Sequence, residues 1–90
     1  MYSKKFSEHK SAQVKKEYYD NGTIALVSYS TTVAVVDPEG WLSVRGLYSR
    51  TTIKHIGWFM RELGSTYQTA KMLYQDSKEM NIYTGECRSI

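Results

Sequence analysis

The sequence predicts an α+β fold, an antiparallel sheet of three to four strands followed by two α-helices packed on one face. Three observations predict this class. Short apolar or alternating runs separated by turn signals fill residues 13–45, an apolar stripe with helical spacing occupies residues 53–63, and a second capped helix begins near residue 65. Strands that precede helices are typical of an antiparallel sheet with helices on one side, and the short strand connections support antiparallel pairing.

The first hairpin is predicted at Asn21-Gly22. This pair tolerates the positive φ angles of a tight turn, which makes it a strong hairpin signal. It joins a weakly alternating run at residues 13–19 to the apolar, β-branched run TIALVSY at residues 23–29. We therefore expect these two runs to pair as antiparallel strands.

Two further strands are predicted after a bend or bulge at residues 30–31. The run TVAVV at residues 32–36 is apolar on both faces, as in a central strand. The sequence DPEG at residues 37–40 has proline and glycine at the positions that a turn favours, and the alternating residues 41–45 follow it. Residues 81–84 are a candidate for a short edge strand.

Both helices are predicted together with their ends. The first carries an apolar stripe at +3 and +4 spacing, with Ser49 or Thr51 as its N-cap. Gly64 can adopt the left-handed conformation that ends a helix. The second helix is predicted from Thr66 to about residue 78–80, with Ser65 as its N-cap in a capping box with Gln68. The residues of the stripe are Ile53, Ile56, Phe59, Met60 and Leu63.

Length and composition limit the class of protein. The chain has 90 residues and 41% hydrophobic content, enough for one domain and too much for a disordered chain. We assign residues 13–90 to a single α+β domain and residues 1–12 to a flexible basic segment. No apolar run approaches the roughly 20 residues that cross a bilayer, and residues 1–11 lack the apolar stretch of a secretory signal. The single cysteine, Cys87, fits a reducing cytoplasm.

The residue clusters that usually carry out catalysis are missing from the sequence. His9 and His55 have no metal-type spacing to the cysteine, and the six glycines form no phosphate-binding loop. There is also no nucleophile elbow. We therefore expect no enzyme activity, no catalytic residues, no cofactor and no metal.

A candidate contact surface lies on the polar side of the first predicted helix. At about 100° per residue, Trp58 falls almost opposite the apolar stripe, in line with Lys54 and Arg61 and flanked by His55 and Glu62. A tryptophan on the polar side of an amphipathic helix is a typical interface anchor. We therefore expect these five residues to bind a partner, with the indole facing outward. The competing interpretation is that the second helix or the C-terminal tail covers Trp58.

The same mixture of aromatic and basic side chains would suit a nucleic-acid-binding accessory protein. Base stacking on an aromatic ring contributes about 1–3 kcal/mol per base, and the net charge of +3 permits an anionic partner. The basic residues of this alternative are Lys4, Lys5, Lys15, Lys16 and Arg45, together with Lys54 and Arg61. A solvated basic face without a binding role is the competing interpretation.

Two segments carry a family resemblance. They are YSTTVA at residues 29–34 and YSRTTIKHI at residues 48–56, with Phe59 downstream. With these segments the chain resembles a group of small bacteriophage-encoded proteins of unknown function, over about residues 27–64. The resemblance implies a phage or prophage product that acts in the cytoplasm of a bacterial host, and it brings no catalytic residues.

These observations favour a small non-enzymatic protein that docks on a host macromolecule, either a host protein or a protein–nucleic-acid complex. Inhibition of a bacterial defence nuclease, in the manner of an anti-CRISPR protein, is the specific form of this hypothesis. The positive net charge argues against an acidic mimic of DNA. A small structural or self-assembling protein is a third possibility, and no membrane partner is expected.

Overall fold

Seven strands form one antiparallel sheet in the part of the chain that the computed structural model describes, residues 2–5, 14–46 and 50–90. The elements in chain order are β1 (Tyr2–Lys5), β2 (Val14–Tyr18), β3 (Ile24–Ser28), β4 (Thr31–Val36), β5 (Trp41–Val44), α1 (Arg50–Glu62), α2 (Tyr67–Gln75), β6 (Lys78–Asn81) and β7 (Cys87–Ser89). Each strand pairs with the next, so the sheet is a meander into which the two helices are inserted. The α+β class is confirmed, but the sheet has seven strands where three to four were predicted.

The additional strands lie at the two ends of the chain. β1 pairs with β2, from Tyr2 opposite Tyr18 to Lys5 opposite Lys15. This strand lies in the segment predicted to be flexible, residues 1–12, and the other residues of that segment lie outside the described part of the chain. At the other end, β6 and β7 form a hairpin after the helices. Of residues 81–84, predicted as an edge strand, only Asn81 lies in a strand, at the end of β6. Residues 82–84 turn the chain, because the Asn81 side chain accepts hydrogen bonds from the backbone N–H groups of Tyr83 and Thr84.

The predicted turns are present, with a difference at the first. Gly22 has a φ angle of 97°, and its N–H donates to the Tyr19 carbonyl. Asn21 is not among the described residues with positive φ, so the glycine alone takes the left-handed conformation. Gly40 (φ 94°) closes the turn from Asp37. β3 and β4 are joined by Tyr29 and Ser30, with a shift of register between Leu26 and Val27, close to the predicted bend.

Both helices pack on one face of the sheet. α1 lies over β3 and β4, and α2 lies over β5 and β6. Side chains from both helices and four strands form one buried cluster that includes Leu26, Leu42 and Phe59. Burying a side chain of this size contributes about 1.5–3 kcal/mol, so this layer-on-layer contact is the main source of stability.

The helix ends follow from local hydrogen bonds. Gly64 has a φ angle of 78°, and the N–H groups of Gly64 and Ser65 donate to the carbonyls of Arg61 and Met60. This is the Schellman arrangement that ends a helix, as predicted. The N-cap of α2 is Thr66, not Ser65, because the Thr66 hydroxyl accepts from the Thr69 N–H. Ser49, a predicted cap of α1, lies outside the described residues.

The buried side of α1 is rotated from the predicted stripe. Ile56, Phe59 and Met60 are buried as expected, but Thr52 and His55 are buried as well, while Ile53 is only half-buried. At 100° per residue, the centre of the buried side lies about 35° from the predicted one, toward His55. A buried imidazole needs a hydrogen-bond partner, and the sheet supplies it.

Candidate docking surface on helix α1

His55 lies at the centre of a buried polar cluster between α1 and the end of β3. Its Nδ1 atom is 2.8 Å from the Ser28 hydroxyl, which is also 3.4 Å from the Thr52 hydroxyl. His55 and Ser28 each retain only 2% of their surface exposed. His55 was predicted as a residue that contacts the partner, and its burial corrects this: it supports the surface from beneath.

Two aromatic rings flank this histidine. The centroid of the Trp58 ring is 5.2 Å from that of His55, and the Tyr29 ring is 6.1 Å away on another side. Trp58 is half-buried and packs against the hydrophobic core. The indole was expected to face outward, but it is only partly exposed. The remainder of the ring packs against the core and His55.

Tyr29 was not recognised from the sequence as part of this surface. It occupies the two-residue connection between β3 and β4 with a φ angle of 57°, and 58% of its surface is exposed. A non-glycine residue in this left-handed region costs about 1–3 kcal/mol. A large exposed aromatic in such a conformation is typical of a functional position, and no local pattern in the sequence signals it.

The charged members of the predicted surface differ in their contacts. Lys54, Arg61 and Glu62 are exposed, as a contact surface requires. The Lys54 ammonium lies 5.3 Å from the centroid of the Trp58 ring, a cation–π distance. Glu62 forms an ion pair with Lys16 of β2, which places this side of α1 next to the second strand.

The pKa of Lys16 reflects this ion pair. Burial of the ammonium lowers its pKa, but the hydrogen bond with Glu62 and the adjacent Tyr18 more than offset that effect, so the pKa is raised above its ordinary value of 10.5. Lys16 is thus held in its charged form by α1. A lysine engaged in this way is a weaker contact for an external anion.

The basic residues of the nucleic-acid alternative do not form one patch. Lys15 and Lys16 are consecutive in a strand, so their side chains point to opposite faces of the sheet, and Lys15 is 3.5 Å from Glu17. Arg45 is exposed beyond β5. Lys4 and Lys5 are opposite Lys16 and Lys15 in the backbone register, and their side chains lie outside the described residues.

The described residues include no group of three or more histidine, cysteine or acidic side chains that could hold a metal ion. No described helix is long and apolar enough to cross a membrane.

The Ser28–His55 pair has the short contact of a nucleophile and base, but both side chains are buried and a substrate has no access to them, so we interpret the pair as structural.

Comparison with family models identifies a match over residues 1–80 to a family of unknown function, DUF8033. The chain belongs to this family. The match spans every element from β1 to α2 and nearly all of β6, and it ends before β7. Comparison with curated proteins gives no match, and comparison with solved structures gives none either.

Proposed function

We propose that this DUF8033 protein is a non-enzymatic binding protein that docks on a host macromolecule through the outer side of α1. The docking surface consists of Trp58, Lys54 and Arg61 on the helix, with Tyr29 at its side. The observation that carries the proposal is Trp58 itself, a half-buried indole whose accessible part adjoins exposed cations. Tryptophan, tyrosine and arginine are over-represented among the residues that dominate binding energy.

Support also comes from how the surface is held. His55 fixes Trp58 from one side and is itself held by Ser28. Ordering the anchor before binding reduces the entropy lost on association. The strained backbone at Tyr29 (φ 57°) fits the same interpretation, because strained residues cluster at functional sites.

A more specific form of the proposal places the protein in a bacterial cytoplasm as a phage product that inhibits a defence nuclease, in the manner of an anti-CRISPR protein. Its support is the resemblance of residues 29–34 and 48–56 to small phage proteins. In this form the partner is a host protein or a protein–nucleic-acid complex. The alternative, a nucleic-acid-binding accessory protein that uses Lys4, Lys5, Lys15, Lys16 and Arg45, receives less support because two of these cations are in ion pairs.

The test is capture of partners from bacterial lysate with the wild-type protein and with Trp58→Ala. Trp41→Ala is the matched control, since Trp41 is also half-buried but lies on β5, away from α1. Thermal unfolding first establishes that both variants remain folded. We expect Trp58→Ala to lose partners that Trp41→Ala retains. If both variants capture the same partners as the wild type, α1 is not the docking surface.

A further inference from the structure

Three cations form a single row along α1. Arg50, Lys54 and Arg61 are spaced i, i+4 and i+11, which places them within about 40° of one another around the helix. All three are exposed. We name Arg50, Lys54 and Arg61 the basic ridge. It lies about 180° from the centre of the buried side of α1 and is therefore the part of the helix farthest from the sheet.

The ridge carries charge that the described part of the protein does not neutralise. None of its three cations takes part in an ion pair with a described residue, whereas Lys15, Lys16 and Arg88 each have an acidic partner. Arg50 occupies the first position of α1, whose first turn contains no acidic residue. A cation at the N-terminus of a helix is disfavoured by the helix dipole, so Arg50 does not stabilise α1 through the dipole.

The two helices carry a positive net charge. Residues 50–75 contain four cations, Arg50, Lys54, Arg61 and Lys71, and one acidic residue, Glu62, which gives a net charge of +3. The whole chain, with 12 lysines and arginines and 9 acidic residues, has the same net charge of +3. A positive net charge on the helices favours an anionic partner at this layer.

We propose that the basic ridge binds the phosphate backbone of duplex DNA, without sequence preference. This inference rests on the proposed docking function and names the partner class of the same surface: the nucleic-acid component of a host complex. Charge complementarity carries it, because three cations in a row, none of them in an ion pair with a described residue, match a regularly spaced polyanion. At 1.5 Å per residue, Arg50 and Arg61 are about 16 Å apart along the axis, roughly five base-pair steps at 3.4 Å each.

The shape of the surface favours a duplex over a single strand. The ridge lies on the outer side of an α-helix, and the major groove of B-DNA is wide enough to admit an α-helix. Proteins that bind single strands instead use a groove with open aromatic rings on which bases stack. At Trp58 the ring is already in contact with His55 and lies beneath the Lys54 ammonium, so little of it is free for a base.

The experiment measures binding of the full-length protein to a labelled duplex of about 20 base pairs by fluorescence anisotropy. Three phosphate contacts predict a slope of about −2.7 for log K against log salt, which is roughly a 40-fold loss of affinity between 50 and 200 mM salt. Arg50→Gln, Lys54→Gln and Arg61→Gln combined should reduce the affinity at 50 mM salt at least tenfold and bring the slope close to zero. Each single substitution should reduce the slope by about 0.9.

The control is a triple variant that removes the same number of positive charges elsewhere, Lys15→Gln, Arg45→Gln and Lys78→Gln, and it should retain the wild-type slope. Equal losses in the two triple variants would overturn the proposal, because the effect would then depend on net charge alone. Tighter binding to a single strand of the same sequence, or equal competition by poly-glutamate, would also overturn it.

A failure of this inference can be distinguished from a failure of the docking function. If the wild-type protein does not bind the duplex at 50 mM salt, the inference is wrong. The docking function is still supported if Trp58→Ala loses partners from a nuclease-treated lysate that Trp41→Ala retains. If both Trp variants capture the same partners, the docking function fails.

Discussion

Trp41 and Trp58 are both half-buried and each has a cation beside its ring, but the two cations are held differently. The guanidinium carbon of Arg88 is 3.8 Å from the centroid of the Trp41 ring, and Arg88 also forms an ion pair with Glu79. The Lys54 ammonium is 5.3 Å from the Trp58 ring and has no ion pair with a described residue. The charge of Arg88 is neutralised by an acidic residue of the protein itself, whereas the charge of Lys54 can interact with a partner.

The comparison separates a structural tryptophan from a candidate binding one. Trp41, Glu79 and Arg88 come from β5, β6 and β7, so their contacts join three neighbouring strands. Trp58 is supported by the buried His55, which comes from its own helix, and Ser28, which comes from the sheet. Aromatic–cation contacts therefore do not by themselves identify a binding surface; the presence or absence of an internal acidic partner distinguishes the two cases.

The largest effect is expected from removing the support beneath Trp58. His55→Ala deletes a buried ring and leaves the Ser28 hydroxyl without its 2.8 Å partner. The cavity and the lost hydrogen bond together should lower the free energy of unfolding by about 3 kcal/mol, measured by urea denaturation. Ser28→Ala, which removes only the hydroxyl, should cost about 1–2 kcal/mol. A change below about 0.5 kcal/mol for His55→Ala, the size of an ordinary surface substitution, would show that the cluster does not stabilise this region.

A smaller effect should distinguish the two cation–ring contacts directly. Arg88→Ala removes both the contact with Trp41 and the ion pair with Glu79, and we expect it to destabilise the fold by about 1 kcal/mol. Lys54→Ala removes an exposed cation and introduces a good helix former, so its effect on stability should lie within about 0.5 kcal/mol. Thermal unfolding at low ionic strength measures both. Equal losses of stability in the two variants would mean that Lys54 contributes as much to the stability of the fold as Arg88 does.

Much of the fold could be predicted because local residues determine it. Gly22 and Gly64 adopt the positive φ angles that the turn and helix-end patterns indicated, and Gly40 closes the predicted turn. β2, β3 and β5 lie within the predicted runs, and β4 begins one residue before its predicted run, since β-branched and apolar residues with turn signals between them determine these strands. The Schellman end of α1 required only Gly64 and two backbone hydrogen bonds.

The remainder depended on contacts between distant parts of the chain. β6 and β7 have the sequences KEMN and CRS, which lack apolar alternation and become strands only by pairing with each other and with β5. The rotation of α1 follows from the hydrogen bond between His55 and Ser28, residues 27 positions apart in sequence. Helical periodicity cannot indicate that a polar side chain will find such a partner. His55 was therefore predicted to contact a partner, whereas it is buried beneath the candidate surface.

The smallest effect concerns the ion pair between Lys16 and Glu62, which anchors the Trp58 side of α1 to β2. Glu62 keeps 41% of its side-chain surface exposed, and solvent screening limits the coupling in a double-mutant cycle of Lys16→Met and Glu62→Gln to about 0.5 kcal/mol. Because the pKa of Lys16 is raised from 10.5 in the folded protein, this stabilisation is complete below pH 10.5 and is lost as the pH rises through the folded pKa. Urea denaturation at pH 7 and at a pH above the folded pKa of Lys16 should show the coupling at the lower pH only. A coupling that persists at the higher pH would mean that the two side chains interact through packing and not through charge.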